Sequence, residues 1–184
     1  NTRVQTLDVS GSRSARELVS SQTTTRLIRR LRGRRNDPLA QSFYVDDSTG
    51  ICVTSVEVFF ETVDQNNIPV QLDLRTVELG TPSQKVLPFS QLNLSPDQIT
   101  TSTNGSVPTK FTFKSPVYLS PATEYAICML SASADYRVFI SRIGENDLIT
   151  DEFVSNQPTL GSLFKSQNAS TWEPSQWEDL KFTL

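Results

Sequence analysis

The sequence predicts an all-β protein: an antiparallel two-sheet β-sandwich carrying an extended basic N-terminal arm. Three observations carry that reading. Short segments alternate apolar and polar residues with a period of two, as half-buried strands do. Clusters of proline, glycine and asparagine separate them at short intervals. No segment reads convincingly as a helix. The plan is clearest from Thr109 to Leu130, TKFTFKSPVYLSPATEYAICML. Phe111 and Phe113 alternate with Thr112 and Lys114, and Ser115-Pro116 interrupts the ladder because proline donates no N–H. Val117, Tyr118 and Leu119 run to a second break at Ser120-Pro121, and Glu124 to Leu130 reads as the next strand. Such proline-marked corners suit a chain that passes from one sheet to the other.

The first strand is expected at Leu39 to Val45, closed by the turn cluster Asp46 to Gly50. Ile51 to Phe60 (ICVTSVEVFF) is the strongest strand, rich in β-branched and aromatic residues. There Cys52, Val56, Val58 and Phe60 share one face, with Val53 and Phe59 on the other. After a turn at Asp64 to Asn67, Pro69 to Arg75 alternates cleanly. Val70, Leu72 and Leu74 point inward, while Gln71, Asp73 and Arg75 point to solvent. Gly80 to Ser83 is a turn and Val86 to Phe89 a short segment. Ser90 to Pro108 is a long polar excursion with a tight turn at Asn104-Gly105. Beyond the central stretch come strands at Tyr136 to Arg142, Leu160 to Lys165 and Asp179 to Leu184. Eight or nine short strands without a helix match the pattern of a jelly roll.

The 184 residues suit one globular domain plus an extension, divided here into an arm at 1–36 and a β domain at 37–184. A body of about 150 residues buries roughly 70% of its extended-chain surface, enough for a core. The charge is unevenly divided. Residues 1–36 hold nine arginines against Asp8 and Glu17, a net +7, while the rest of the chain carries 8 basic and 18 acidic side chains, a net −10. The sequence has no histidine, which removes the usual general base near neutral pH and the commonest zinc-binding nitrogen. No run of about 18 apolar residues is present to span a membrane. The chain begins at Asn1 without a signal peptide, so a processed product or an excerpt of a longer protein is expected. Cys52 and Cys128 lie in separate apolar strands; two cysteines allow a disulfide on count, but buried free thiols are the expectation.

The arm concentrates its charge in Arg26, Leu27, Ile28, Arg29, Arg30, Leu31, Arg32, Gly33, Arg34 and Arg35. Clustered arginines can neutralise phosphates. No aromatic residues interleave to stack bases, however, and the attached body is acidic, so a nucleic-acid partner is disfavoured. The apolar face of Leu27, Ile28 and Leu31 is too small for a membrane-surface helix. A solvated linker is the plain reading. Docking on an acidic protein surface, including a neighbouring copy, is the reading the charge split favours.

Three carboxylate pairs, Asp46-Asp47, Asp151-Glu152 and Glu178-Asp179, do not make an acid–base site, because neighbours on a strand face opposite ways and give no shared cleft. They are expected in turns and at strand edges. A loop calcium at Asp147 and Asp151 is the sharper alternative. No phosphate-binding loop or nucleophile elbow occurs. Trp172 and Trp177 could build a sugar-stacking platform with Tyr118 or Tyr136, although packing in the core or against a subunit is the commoner role for tryptophan. Asn93, Asn104 and Asn168 begin glycosylation-type triplets that we read as chance matches in a Ser-rich chain.

Taken in order, Asp37 to Phe43 (DPLAQSF), Ile51 to Phe60, Ser115 to Leu119 with Glu124 to Ala126, Gly161 to Trp172 and Glu178 to Phe182 resemble a module in large virion proteins of contractile-tailed phages, notably those infecting marine cyanobacteria. This chain is much shorter than those proteins. The resemblance covers about residues 37–184. It implies a structural tail component, in the baseplate or a tail fibre attached to it, without enzymatic activity or cofactor. The implied partners are other virion tail proteins and copies of itself. It also implies assembly in the host cytoplasm, where thiols stay reduced. The same strand order is similar to jelly-roll modules of secreted bacterial proteins, some of which bind sugars. The alternative function is therefore a virion carbohydrate-binding module that recognises a host surface glycan through Trp172 and Trp177.

Overall fold

The computed structural model describes residues 38–156 and 160–184, and these residues are all-β with antiparallel, curled sheets. The strands are β1 (Leu39–Val45), β2 (Ile51–Val58), β3 (Phe60–Thr62), β4 (Val70–Glu78), β5 (Thr81–Val86), β6 (Leu92–Leu94), β7 (Thr109–Leu119), β8 (Thr123–Ser131), β9 (Arg137–Val138), β10 (Ile140–Arg142), β11 (Leu163–Ser166), β12 (Trp172–Ser175), β13 (Glu178–Leu180) and β14 (Phe182–Thr183). One 3-10 turn, Pro96–Gln98, completes them. A seven-stranded sheet runs β12-β11-β1-β8-β4-β5, with β6 also on β4. A three-stranded sheet runs β14-β2-β7, and the pairs β10-β13 and β3-β9 stand apart.

Alternation places the core. Phe43 and Val45 of β1, Val70, Leu72 and Leu74 of β4, and Tyr125, Ile127 and Met129 of β8 are buried on one face of the large sheet. They form one cluster with Val53, Val56 and Val58 of β2 and Phe111, Phe113, Val117 and Leu119 of β7. The chain changes sheets at Ser120-Pro121, as the corner predicts: Ala122 turns with φ 51° and its N–H bonds to the Val45 carbonyl at 2.9 Å.

Ser115-Pro116 does not end a strand. β7 continues through it, and the register against β2 slips between Val53↔Val117 and Ser55↔Thr112. The buried positions of β7 stay odd-numbered from Thr109 to Leu119. The slip is carried by extra β7 residues around the proline, which cannot donate to the ladder. Because β7 keeps its parity, β2 must change its own: Val53 is buried on one side of the slip and Val56 and Val58 on the other. Cys52 therefore lies exposed, contrary to its expected place in the core, whereas Cys128 is buried and both thiols are free.

Gln71, Asp73 and Arg75 do face away from the core, but not into solvent. Asp73 is fully buried and Arg75 nearly so. The Arg75 guanidinium grips Asp73 with Nε at 2.7 Å and Nη2 at 3.1 Å, and Nη1 reaches the Ala169 carbonyl at 3.4 Å. Gln84 Nε2 donates to the same carbonyl at 2.6 Å. The loop between β11 and β12 thus lies over this face. Beneath it Ala40, Ala126, Cys128, Phe164 and Trp172 make a second small core. Burial pushes the Cys128 thiol well above its ordinary value.

The far end of the chain is stitched to β1. Gln41, buried within the sheet, donates from Nε2 to Asp179 Oδ1 at 2.9 Å and accepts at Oε1 from the Leu180 N–H at 2.8 Å. Gly161 passes so close to β1 that a Cβ there would lie 1.7 Å from the Ser42 carbonyl oxygen, so only glycine fits. More strands exist than the sequence suggests because β6 and β12 are only three and four residues long, too short for a periodic signal.

Candidate interaction surface

The arm residues Arg26, Leu27, Ile28, Arg29, Arg30, Leu31, Arg32, Arg34 and Arg35 lie outside the described residues. The two tryptophans are placed, and they part company. Trp172 is 7% exposed and belongs to the second core, so its ring cannot stack on a sugar; this corrects its reading as a contact residue. Trp177 is 64% exposed in the turn between β12 and β13. Tyr118 is exposed, with its hydroxyl donating to the Thr49 carbonyl, and Tyr136 stacks edge-on to Phe60. Among the described residues no ring contact joins these four aromatics, so the expected platform is not assembled.

The carboxylate pairs also separate. Asp47 caps its own turn, accepting from the Thr49 hydroxyl at 2.6 Å and the Thr49 N–H at 2.7 Å, which hold it below the ordinary carboxylate value. Glu178 and Asp179 lie on the edge strand β13, as expected, but both are buried, and they face opposite ways. Asp179 meets Gln41, while Glu178 takes Lys165 Nζ, Ser175 Oγ at 2.9 Å and Arg142 Nε at 3.8 Å. Burial opposes the charge of Glu178, but those donors outweigh it and hold its pKa down.

The third pair sits on a feature that the sequence shows only as a turn. Residues Gly144 to Val154 form a small hairpin: Gly144 N–H bonds to the Val154 carbonyl at 3.0 Å, Val154 N–H to Glu145 at 2.9 Å and Asp147 N–H to Glu152 at 2.9 Å. Asp147 Oδ1 organises its tip by accepting from the Ile149 and Thr150 N–H groups, each at 2.8 Å. These bonds hold Asp147 below its ordinary value. No three acidic or thiol groups gather to hold a metal ion among the described residues. With its polar backbone satisfied, the hairpin turns its apolar side chains outward: Leu148 is 70% exposed, Ile149 54% and Phe153 64%. Trp177 is tied to its base, since its carbonyl accepts from the Ile143 N–H at 3.0 Å.

The hairpin holds Glu145, Asp147, Asp151 and Glu152 and no basic residue. Arg142 reaches Glu145 at 3.4 Å while also serving Glu178, and Lys181 lies over the Phe59 ring at 4.7 Å. Among the described residues the Glu152 carboxylate has no partner. The surface is therefore an apolar tip rimmed by negative charge. The sequence signal for it is the run Leu148-Ile149 inside a polar turn, where no core can claim it.

No protein-family model, no curated protein and no solved structure matches this chain.

Proposed function

We propose that this chain is a structural, non-enzymatic module of a phage tail, a jelly-roll sandwich that works through protein–protein contacts in the baseplate or a tail fibre. The observation that carries the proposal is the apolar tip of the 144–154 hairpin, where Leu148, Ile149 and Phe153 are exposed together on one short, well-bonded element. Large apolar side chains held outward by a well-bonded turn are the mark of a surface meant to be covered. Two sheets sharing one core support the sandwich, and the ordered sequence segments support the virion setting. The absence of histidine and the structural engagement of Glu178 and Asp179 favour assembly over catalysis. The test is labelling of intact phage particles with antibody to this chain, viewed by electron microscopy, together with sedimentation of the full chain. Label at the tail and self- or partner association are expected. A chain that remains monomeric and is absent from particles would overturn the reading.

A carbohydrate-binding role is the second reading, and exposed Trp177 favours it. A glycan array separates the two: saccharide binding lost in Trp177→Ala but retained in Trp172→Phe would promote it.

A further inference from the structure

We infer that the Gly144–Val154 hairpin is the docking site for residues 26–35 of a neighbouring copy of this chain. The inference rests on the assembly reading above and names its contact. Both surfaces carry the same two-part chemistry with opposite sign. Residues 26–35 offer six arginines with Leu27, Ile28 and Leu31, and no acid. The hairpin offers four acids with Leu148, Ile149 and Phe153, and no base. Guanidinium forks pair with carboxylates bidentately, and they are planar and weakly hydrated, so they can lie beside an apolar tip where lysine would stay in water.

The four acids are not equivalent. Asp147 is committed to the turn, Asp151 Oδ1 accepts from Asn146 Nδ2 at 3.1 Å, and Glu145 shares Arg142 with Glu178. Glu152 is exposed and lacks a partner among the described residues, next to exposed Phe153. It is the anchor for an incoming arginine, and the tip aliphatics receive Leu27, Ile28 and Leu31. Ion pairs at an exposed site are weak and screened, whereas apolar contact is not. Association through this contact therefore weakens with salt but survives it.

The experiment uses the full chain throughout. A photo-crosslinking amino acid at position 149 is placed in a mixture of heavy- and light-isotope chains, and cross-linked peptides are read by mass spectrometry. Cross-links from 149 to residues 26–35 that join heavy to light chains are expected. Sedimentation should show Glu152→Lys associating about tenfold more weakly, the size expected when an exposed ion pair becomes a like-charge contact. Combining Glu152→Lys with Arg29→Glu/Arg30→Glu on the same chain, so that both sides of the contact are reversed, should restore association, which a misfolded variant could not do. Cross-links confined to one chain or falling elsewhere, or undiminished association of Glu152→Lys, would overturn the docking site. If the wild-type chain still associates in those cases, the assembly reading stands. A wild-type chain that never associates and joins no particle removes both.

Discussion

Leu79 and Gly80 form the two-residue loop between β4 and β5, with φ 53° and 76° and Glu78 opposite Thr81. Both central residues lie in the left-handed region, where leucine is strained and asparagine is at home. Leu79 is fully exposed, so no packing offsets the strain. Leu79→Asn should stabilise the protein by about 1 kcal/mol, raising the thermal midpoint by about 2–4 °C in calorimetry. Acid should act on the buried carboxylates. Asp64 is opposed by burial but held down by hydrogen bonds from Ser133, Ile68 and Asn66, and Glu178 is held down by Lys165, Ser175 and Arg142. Their folded values lie below the ordinary range near pH 4, so the stability they contribute is full above that range and drains away as pH falls through the folded values. Urea unfolding between pH 7 and 3 should show this loss. Glu178→Gln should be less stable at pH 7 and flatter in its pH dependence; a parallel curve would remove Glu178 from the account.

At the scale of elements, the slip in β7 makes a sharp contrast between neighbours on β2. Val53→Asp puts a carboxyl into the core and should abolish soluble expression, whereas Cys52→Asp, on the exposed face, should change stability by less than about 0.5 kcal/mol. An unbroken even-numbered face would reverse that order. Alternation makes β4 and β7 legible, although only β7 is half-buried and β4 is covered on both faces, whereas β1 and β8 are legible as apolar runs bounded by turn signals. Alternation cannot show that β7 runs through Ser115-Pro116, since a bulge changes which partner faces a residue without altering that strand's own pattern. Nor can it mark β12, whose Trp172 is fixed by the pairing of Lys165 with Glu173 and Phe164 with Pro174. The hairpin at 144–154 is readable as a turn, but its outward apolar tip depends on hydrogen bonds that Asp147 makes up to three residues ahead.

For the molecule as a whole, the large sheet is covered on both faces, and the second cover depends on Trp172. Its indole N–H is buried without a hydrogen-bond partner among the described residues. Trp172→Ala should cost about 3–5 kcal/mol by leaving a cavity beside Phe164 and Cys128. Trp172→Phe should be nearly neutral, because the lost contacts are partly offset by removing an unsatisfied donor. Denaturant midpoints of the two variants check the pair. Equal loss in both would mean the indole nitrogen is bonded after all. The polar residues of β4 hide the same second cover from the sequence: Asp73 and Arg75 satisfy one another, so a buried ion pair wears the pattern of a solvated face.

The position of β1 has a consequence for the chain's birth. Its partners β8 and β11 begin at Thr123 and Leu163, and Gln41 bonds to Asp179, 138 residues later. A ribosome adding about 5–20 residues per second needs on the order of ten seconds to supply them. Until then the apolar segment β1 lacks its full set of neighbours. Synthesis of this protein is thus a race between translation and mispairing with other nascent chains, and slowing elongation should raise the demand for holdase chaperones.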